Sequence, residues 1–468
     1  MTPAAGSPRS SASVQTDPYV LDPSQVREPP QGWRPSLRFL GPGMITSAAV
    51  VGSGELITAT TLGATVGFVL LWLVFVSTLV KVAVQIELAR WSISTGQPGI
   101  TGYDQVPPKL FGRGWVSYLA ILMFLQFLTS QAGVLSAAGL ALSLLVPVGG
   151  APTSTLSLGF WVFVMVALAI AVHIANRYGV VEKVSTVLVV LVTVAVVVMV
   201  FGIRATPFAW TAGDLGSGLQ FQIAAGAMGV ALAMFGLTGV GAGEITSYSF
   251  WCVEKGYAVW TGPDDGSEAW VRRARGWVSV MKKDAWLSWV VYTVSTAAFY
   301  ILGAAVLHPQ GLVPEGSEVL TTISRIFTDT LGSWVGVLFL LFAAVALFKT
   351  ILANVPSLSR QIAASMAVFG LFDWGDRRAR DRWMRILMIG LPIAWGLLGV
   401  VVSSPLALVM LGGILNALYL MAVSVATLYL SFRRTDRRIK DGPAFTAYLL
   451  VSALAVFAVG ALALPDYL

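Results

Sequence analysis

Apolar positions in this chain gather into uninterrupted runs of roughly 18 to 25 residues, set apart by short polar stretches. A helix of that length rises far enough to cross the ~30 Å hydrocarbon core of a bilayer. From residue 40 onward eleven runs are read, at 40–62, 67–91, 116–146, 157–174, 181–203, 221–250, 285–307, 334–358, 386–402, 406–430 and 445–464. The pattern predicts an all-α integral membrane protein. Residues 1–36 are rich in Pro, Ser and Thr and have no apolar run, so a disordered cytoplasmic tail is expected there rather than a signal or transit peptide.

Composition sharpens this picture. Of 468 residues, 56% are hydrophobic and 11% charged, which excludes a soluble globular protein. With one Cys and two His, a disulfide framework and a Cys/His metal site are excluded as well, and any bound metal must be held mainly by oxygen. No nucleophile elbow, Walker-type glycine loop or zinc motif is present, so neither an enzyme nor an ATP-driven pump is expected, and no cofactor.

Charge sets the orientation. With the N-terminus in the cytoplasm, the inner loops contain Lys109, Arg113, Arg177 and Lys183, and then the Arg and Lys groups at 272–283, 360–382 and 433–440. The outer loops contain only Arg204 and Arg325. This asymmetry predicts a multi-pass protein of the plasma (inner) membrane with its C-terminus outside. The basic loops read as a topology signal beside anionic lipid, not as a nucleic-acid surface.

Two spans are interrupted by one pattern, Gly-x-Gly-Glu: Gly52-Ser53-Gly54-Glu55 in the first and Gly241-Ala242-Gly243-Glu244 in the sixth. Two glycines in three residues each cost a helix ~1 kcal/mol against Ala, so unwinding at mid-membrane is expected. Spans one and six then begin equivalent blocks of five: a first repeat over 37–204, a second over 218–432 with a cytoplasmic loop at 254–284, and an eleventh helix at 443–468. An odd number of crossings inverts the second block. Broken helices at matching positions of inverted repeats mark a transporter's midplane site. The bland alternative, glycines that merely let helices pack closely, gives no account of an ionisable residue after each break.

Glu55 and Glu244 are the decisive residues, because a carboxylate at that depth costs at least ~2.5–3.5 kcal/mol and normally faces a cavity, a partner or an ion route. Brought together, the two need a cation, a proton or a basic side chain between them. Free carbonyls at Gly52, Ser53, Gly241 and Ala242 are expected to add oxygens. Thr58, Thr246, Ser247 and Asn354 are possible polar supports, though Ser and Thr within spans usually bond back to their own helix. Lys81 in the second span and Lys349 in the eighth are candidate partners for the acids. Lys81 reads as structural, and Lys349 either stands in for a coupling ion or snorkels to an interface. Asn416 in the tenth span either lines the path or makes an interhelical bond.

At these residues the chain resembles the Nramp family of divalent-metal transporters, within the LeuT-like superfamily. Leu40-Gly41-Pro42-Gly43 leads into the first break at the family's spacing, the second span ends in the family's manner from Gln85 through Ala89-Arg90 to Thr95-Gly96, and Tyr178-Gly179-Val180-Val181-Glu182-Lys183 is similar to its link into the fifth span. The resemblance implies a LeuT-like fold of two inverted five-helix repeats plus an eleventh helix, and divalent-cation transport. The chain also departs from the family. Gly52 and Glu55 stand where the family's Asp-Pro-Gly-Asn has its Asp and Asn, and Gly241, Ala242 and Gly243 replace its Met-Pro-His. Met234, about two turns upstream, is too far away to restore the thioether. Gln131 and Val134 occupy the family's acidic positions in the third span.

The leading expectation is a secondary transporter, monomeric in its bilayer, for a hard, oxygen-ligated divalent cation of the Mn, Mg or Ca class. Glu55 and Glu244 serve as charged ligands, and spans one and six move against the third, fourth, eighth and ninth. The alternative is an organic-solute carrier of the amino-acid, polyamine and organocation type, whose Gly-Ser-Gly is matched by Gly52-Ser53-Gly54. A third class, a membrane sensor, would need a cytoplasmic domain larger than the 254–284 loop provides. That loop contains Trp260, Trp270 and Trp277 and is expected to include an amphipathic helix lying at the interface.

Overall fold

The computed structural model describes residues 17–463 apart from 53, 175–177, 225, 333 and 403. Ten helices are long and apolar enough to cross a membrane, and a bent pair makes up to eleven. The bent pair is the first span: Pro42–Val50 stops, and Glu55–Val66 resumes with its axis turned by 45°. The chain from Gly54 to Ala59, where this half begins, is wound as a π-helix. The sixth span is broken as well, into Met228–Leu237 and Ala242–Lys255. Between them, Thr238 leaves the helix at ψ 138° and Gly239 takes φ 62°, a left-handed conformation that glycine adopts without strain.

The remaining spans are unbroken. Leu71–Thr95 ends on Gly96, whose φ of 72° lets its N–H close back on Ser92. Ala120–Leu145, Thr155–Ile174 and Tyr178–Gly202 follow. After the sixth come Glu268–Leu302, Trp334–Val368, Arg377–Val401, Pro405–Arg434 and Pro443–Ala463. The third span packs along the eighth, ninth and tenth, and the second along the seventh, the eleventh and the lower half of the sixth. At the crossing of the sixth and tenth spans the backbones touch: a Cβ on Gly236 would run into the carbonyl of Gly413, and one on Gly413 into that of Ala233. Small residues permit this approach.

Several expectations are corrected. Residues 17–36 are not a solvated tail; Tyr19 and Asp17 pair with Glu254 and the buried Arg380 of the body. Residues 1–16 lie outside the described residues. The 254–284 stretch is largely helical: Tyr257–Thr261 is a short helix, and from Glu268 the chain runs unbroken into the seventh span. Its tryptophans face inward, with Trp270 1% and Trp277 0% exposed, so this helix packs on the body instead of floating at the interface. The sixth run begins later than expected, since residues 221–224 are not helical. One helix, Val319–Leu331, was not expected; it buries Val319, Leu320, Ile323 and Ile326 on one face, a period of three to four too short to read as a span.

Candidate functional site

From the opening glycine onward both breaks share one register. Val51 closes the first half-helix and Gly52 opens the next, with Leu56 N–H bonded to the Gly52 carbonyl at 3.0 Å. Thr238 closes the upper half of the sixth span and Gly241 opens the lower half, with Ile245 N–H on the Gly241 carbonyl at 2.9 Å. Three residues after each opening glycine stands the glutamate. Glu55 Oε2 accepts the Gly52 N–H at 3.2 Å, and Glu244 Oε2 accepts the Gly241 N–H at 3.1 Å. Each acid thus caps its own half-helix, where the positive end of the dipole favours a carboxylate.

The expected free carbonyls are therefore relocated. Those of Gly52 and Gly241 begin the next half-helix and accept its first bond, and that of Ala242 accepts Thr246 Oγ1 at 2.7 Å. Orphan carbonyls belong to the end of a helix, not its start, so they fall on the other side of each break. Ser53 lies outside the described residues.

The two breaks meet. Glu55 is fully buried, and its Oε1 accepts Thr296 Oγ1 from the seventh span at 3.1 Å and the Gly239 N–H of the sixth-span break at 3.5 Å. Glu244 is partly exposed. Asn416 spans the sixth-span break: its Nδ2 donates to the Gly236 carbonyl at 3.0 Å and its Oδ1 accepts the Ala242 N–H at 3.0 Å. Two backbone groups that unwinding would leave bare are satisfied by one side chain.

The lysines go to the carbonyls instead of the acids. Lys349 Nζ donates to Ala48 O at 2.9 Å and to Val51 O. Lys81 Nζ donates to Thr238 O at 2.6 Å and to Phe235 O, and lies 4.7 Å from the Phe235 ring centre. Lys349 is 1% exposed, which removes the snorkelling reading. Among the described residues no carboxylate pairs with either ammonium within 4.0 Å. Two acids and two lysines thus border the paired breaks.

The other candidates are distributed around this core. Thr58 is buried beside Glu55 in the first span. Thr246 bonds Tyr103 Oη at 2.8 Å besides its own helix. Ser247 bonds back to Gly243 O at 2.9 Å, and also meets Ser357 Oγ and, at 2.5 Å, Gln361 Nε2. Asn354 and Gln131 are buried, with Asn354 Oδ1 and Gln131 Oε1 unpartnered among the described residues. Gln131 reaches Ser130 rather than either break. Thr296, Ser357, Gln126 and Gln361 escaped the sequence reading. Thr296 carries no signal, but Gln126 inside the third apolar run is a polarity anomaly that a search beyond ionisable residues would find, whereas Gln361 lies just past the eighth run. No group of three or more His, Cys, Asp or Glu able to hold a metal ion occurs among the described residues, so a cation here would have two carboxylates and neutral oxygens.

The chain matches the family model described as natural resistance-associated macrophage protein-like, Nramp, over residues 43–464. An uncharacterised protein of Pasteurella multocida (strain Pm70) is 22% identical over 369 residues, covering 76% of this chain and 75% of the relative. A mutant of the Eremococcus coleocola manganese transporter superposes with a TM-score of 0.65 at 15% identity, over 94% of this chain and 90% of that one. MhsT in complex with L-phenylalanine gives 0.55 at 16% identity, over 93% and 100%. Structural likeness at these identities establishes the LeuT-like fold. Since the family match runs from the first span's opening turn into the eleventh helix, the chain belongs to the Nramp family of membrane transporters, which are not enzymes, as a divergent member without the usual Asp-Pro-Gly-Asn and Met-Pro-His motifs.

Proposed function

We propose that the protein is a secondary transporter moving a hard divalent cation, of the Mn, Mg or Ca class, by alternating access around the paired breaks. The observation that carries this reading is the convergence of two mid-span carboxylates: Glu55 reaches across to the sixth-span break through Gly239, and Glu244 caps that same break. Family membership and the manganese cargo named for the Eremococcus protein support a metal. The donor set favours a hard ion, because oxygens suit Mg, Ca and Mn whereas sulfur selects softer metals. An organic-solute carrier is the less favoured reading, since the family match points to the metal transporters.

In this reading Glu55 and Glu244 are the charged ligands, and Lys81 and Lys349 hold the carbonyls on the other side of each break. A divalent ion entering between Glu55 and Glu244 has to draw both carboxylates off their capping N–H groups. Ser247, Asn354, Gln131 and Thr58 supply neutral polar surface along the way. Spans one and six, one from each of the repeats at 37–204 and 218–432, move against the third, fourth, eighth and ninth, the monomer sits in the inner membrane, and the basic loops keep the N-terminus inside and the C-terminus outside.

Uptake into proteoliposomes tests the reading. Mn, Mg or Ca should accumulate above empty vesicles, and Glu55→Ala with Glu244→Ala should bring the flux to background. Equal fluxes in protein-containing and empty vesicles for all three ions would sink it.

A further inference from the structure

We infer that the cleft between the fourth span, Thr155–Ile174, and the ninth, Arg377–Val401, binds one phospholipid with an anionic headgroup, its acyl chain lying along the two helices and its phosphate held at Arg385. Two cavities carry the inference, because they join. One is an open apolar groove of about 800 Å³, walled by Phe163, Val166 and Ile170 of the fourth span and by Ile393, Leu397 and Val401 of the ninth. Three of these side chains are largely uncovered by protein, with Phe163 69%, Leu397 65% and Val401 78% exposed. The other is a cavity of about 610 Å³ that shares Ile174 with the groove and has Arg385, Arg360, Asp381 and His173 among its walls. Glycines shape the groove. At Gly396 the ninth span lies against the fourth, where an added Cβ would sit 2.8 Å from Val166 Cγ2, whereas one on Gly159 would meet only Val400 Cγ1, at 3.8 Å.

In a bilayer, hydrocarbon fills an apolar trough of this kind, since its walls offer water no hydrogen bonds. Hydrocarbon alone selects no particular lipid; the polar end of the cleft does. Of the charged groups there, Arg360 is paired with Glu254 at 2.6 Å, and Asp381 lies 3.7 Å from Arg377. His173 has its two ring nitrogens on the carbonyls of Ala169 and Leu352, at 2.6 and 3.2 Å. Arg385 is exposed, and its Nε donates to the Asp381 carbonyl at 3.3 Å. Among the described residues it has no carboxylate within 4.0 Å, so the outer nitrogens of its guanidinium are left for a further acceptor. A guanidinium takes a phosphate through two parallel hydrogen bonds. Its depth suits a headgroup: Arg385 precedes Val401 by 16 residues, ~24 Å along the helix, which sets the guanidinium near the edge of a ~30 Å hydrocarbon core with the groove inside it. Arg377, Arg378 and Arg382 stand at the same end of the ninth span and draw anionic lipid to that surface, but of these four arginines Arg385 alone lines the cleft.

The test adds lipid to the purified full-length protein in detergent and follows thermal unfolding, together with lipid retention by native mass spectrometry. Three ligands are compared: phosphatidylglycerol, zwitterionic phosphatidylcholine, and glycerol phosphate, which has the phosphate without a chain. Wild type should retain one phosphatidylglycerol and be stabilised by it saturably, more weakly by phosphatidylcholine, and not by glycerol phosphate. Arg385→Gln should need about fivefold more phosphatidylglycerol for half the effect, while its response to phosphatidylcholine stays that of wild type. Arg382→Gln, on the same helix but outside the cleft, should match wild type throughout. Ala167→Phe, which sends a ring into the groove from an exposed alanine of the fourth span, should lose the response to both lipids. The inference is overturned if wild type does not distinguish the two lipids, if glycerol phosphate stabilises as well as phosphatidylglycerol, or if Arg382→Gln weakens binding as much as Arg385→Gln. It is overturned too if Ala167→Phe binds lipid like wild type, or if that variant instead splits a dimer, which would make the groove an interface between two copies of this chain. Cation uptake enters none of these outcomes, so the transport reading stands or falls separately.

Discussion

At Asn416 a single amide does the work of two backbone partners. Its donor and acceptor ends face opposite needs, the Gly236 carbonyl and the Ala242 N–H, across the unwound stretch. Asn416→Leu leaves both groups buried and unpaired, at about 1–3 kcal/mol each, whereas Asn416→Asp still accepts from Ala242 and loses only the donor. Thermal unfolding should therefore rank wild type above Asp above Leu. The two glutamates part company by similar reasoning. Glu55 accepts three donors on its two oxygens, so Glu55→Gln turns one of them against an NH2 group; Glu244 meets one backbone donor and is partly exposed. Glu55→Gln should lower the melting temperature and abolish uptake, whereas Glu244→Gln should abolish uptake with a melting temperature near wild type. Equal melting temperatures for the two variants would contradict the geometry.

At the scale of elements, the spans and both breaks were legible in the sequence because long apolar runs and paired glycines act locally. The acids' positions were legible for the same reason: Gly-x-Gly-Glu writes an N-terminal cap into four residues. What each lysine touches was not, since Lys81 and Lys349 bind carbonyls more than 150 residues away, at Phe235 and Ala48, and nothing in their own spans names a partner. The family-like ending of the second span shows what such a motif holds together. Arg90, 1% exposed, bonds Glu87 at 2.9 Å, the Ile439 carbonyl at 2.7 Å and the Asp441 carboxylate, while Glu87 also accepts Ser431 Oγ at 2.7 Å. The C-terminal ends of the second and tenth spans and the link to the eleventh are thereby joined at one guanidinium. Arg90→Met strands a buried carboxylate, and should destabilise by about 3–5 kcal/mol. Unfolding measurements check this, with Arg90→Met plus Glu87→Leu expected to recover part of the loss.

Across the whole molecule, residues 17–31 form a strap that the composition of the N-terminus did not announce. Tyr19 Oη donates to Glu254 at 2.6 Å, at the C-terminal end of the sixth span; Glu254 pairs with Arg360 of the eighth at 2.6 Å; and Asp17 pairs with Arg380 of the ninth at 2.7 Å. Burial, with the Glu254 carboxylate adding to it, pushes the Tyr19 phenol well above its ordinary pKa, so it remains a donor throughout the physiological range. The sixth span, which alternating access would move against the eighth and ninth, is thus clasped to them by one segment. Opening toward the inner side has to break the clasp, and weakening it should favour the open form. In a Cys252→Ser background, which removes the chain's one native thiol, a cysteine placed at Ser357 lies beside Ser247 between the sixth and eighth spans. Asp17→Asn together with Tyr19→Phe should speed labelling of Ser357→Cys by an inner-side thiol reagent several-fold, and a saturating divalent cargo should slow it. If labelling is equally fast with and without the strap's two anchors, the segment packs on the body without restraining it.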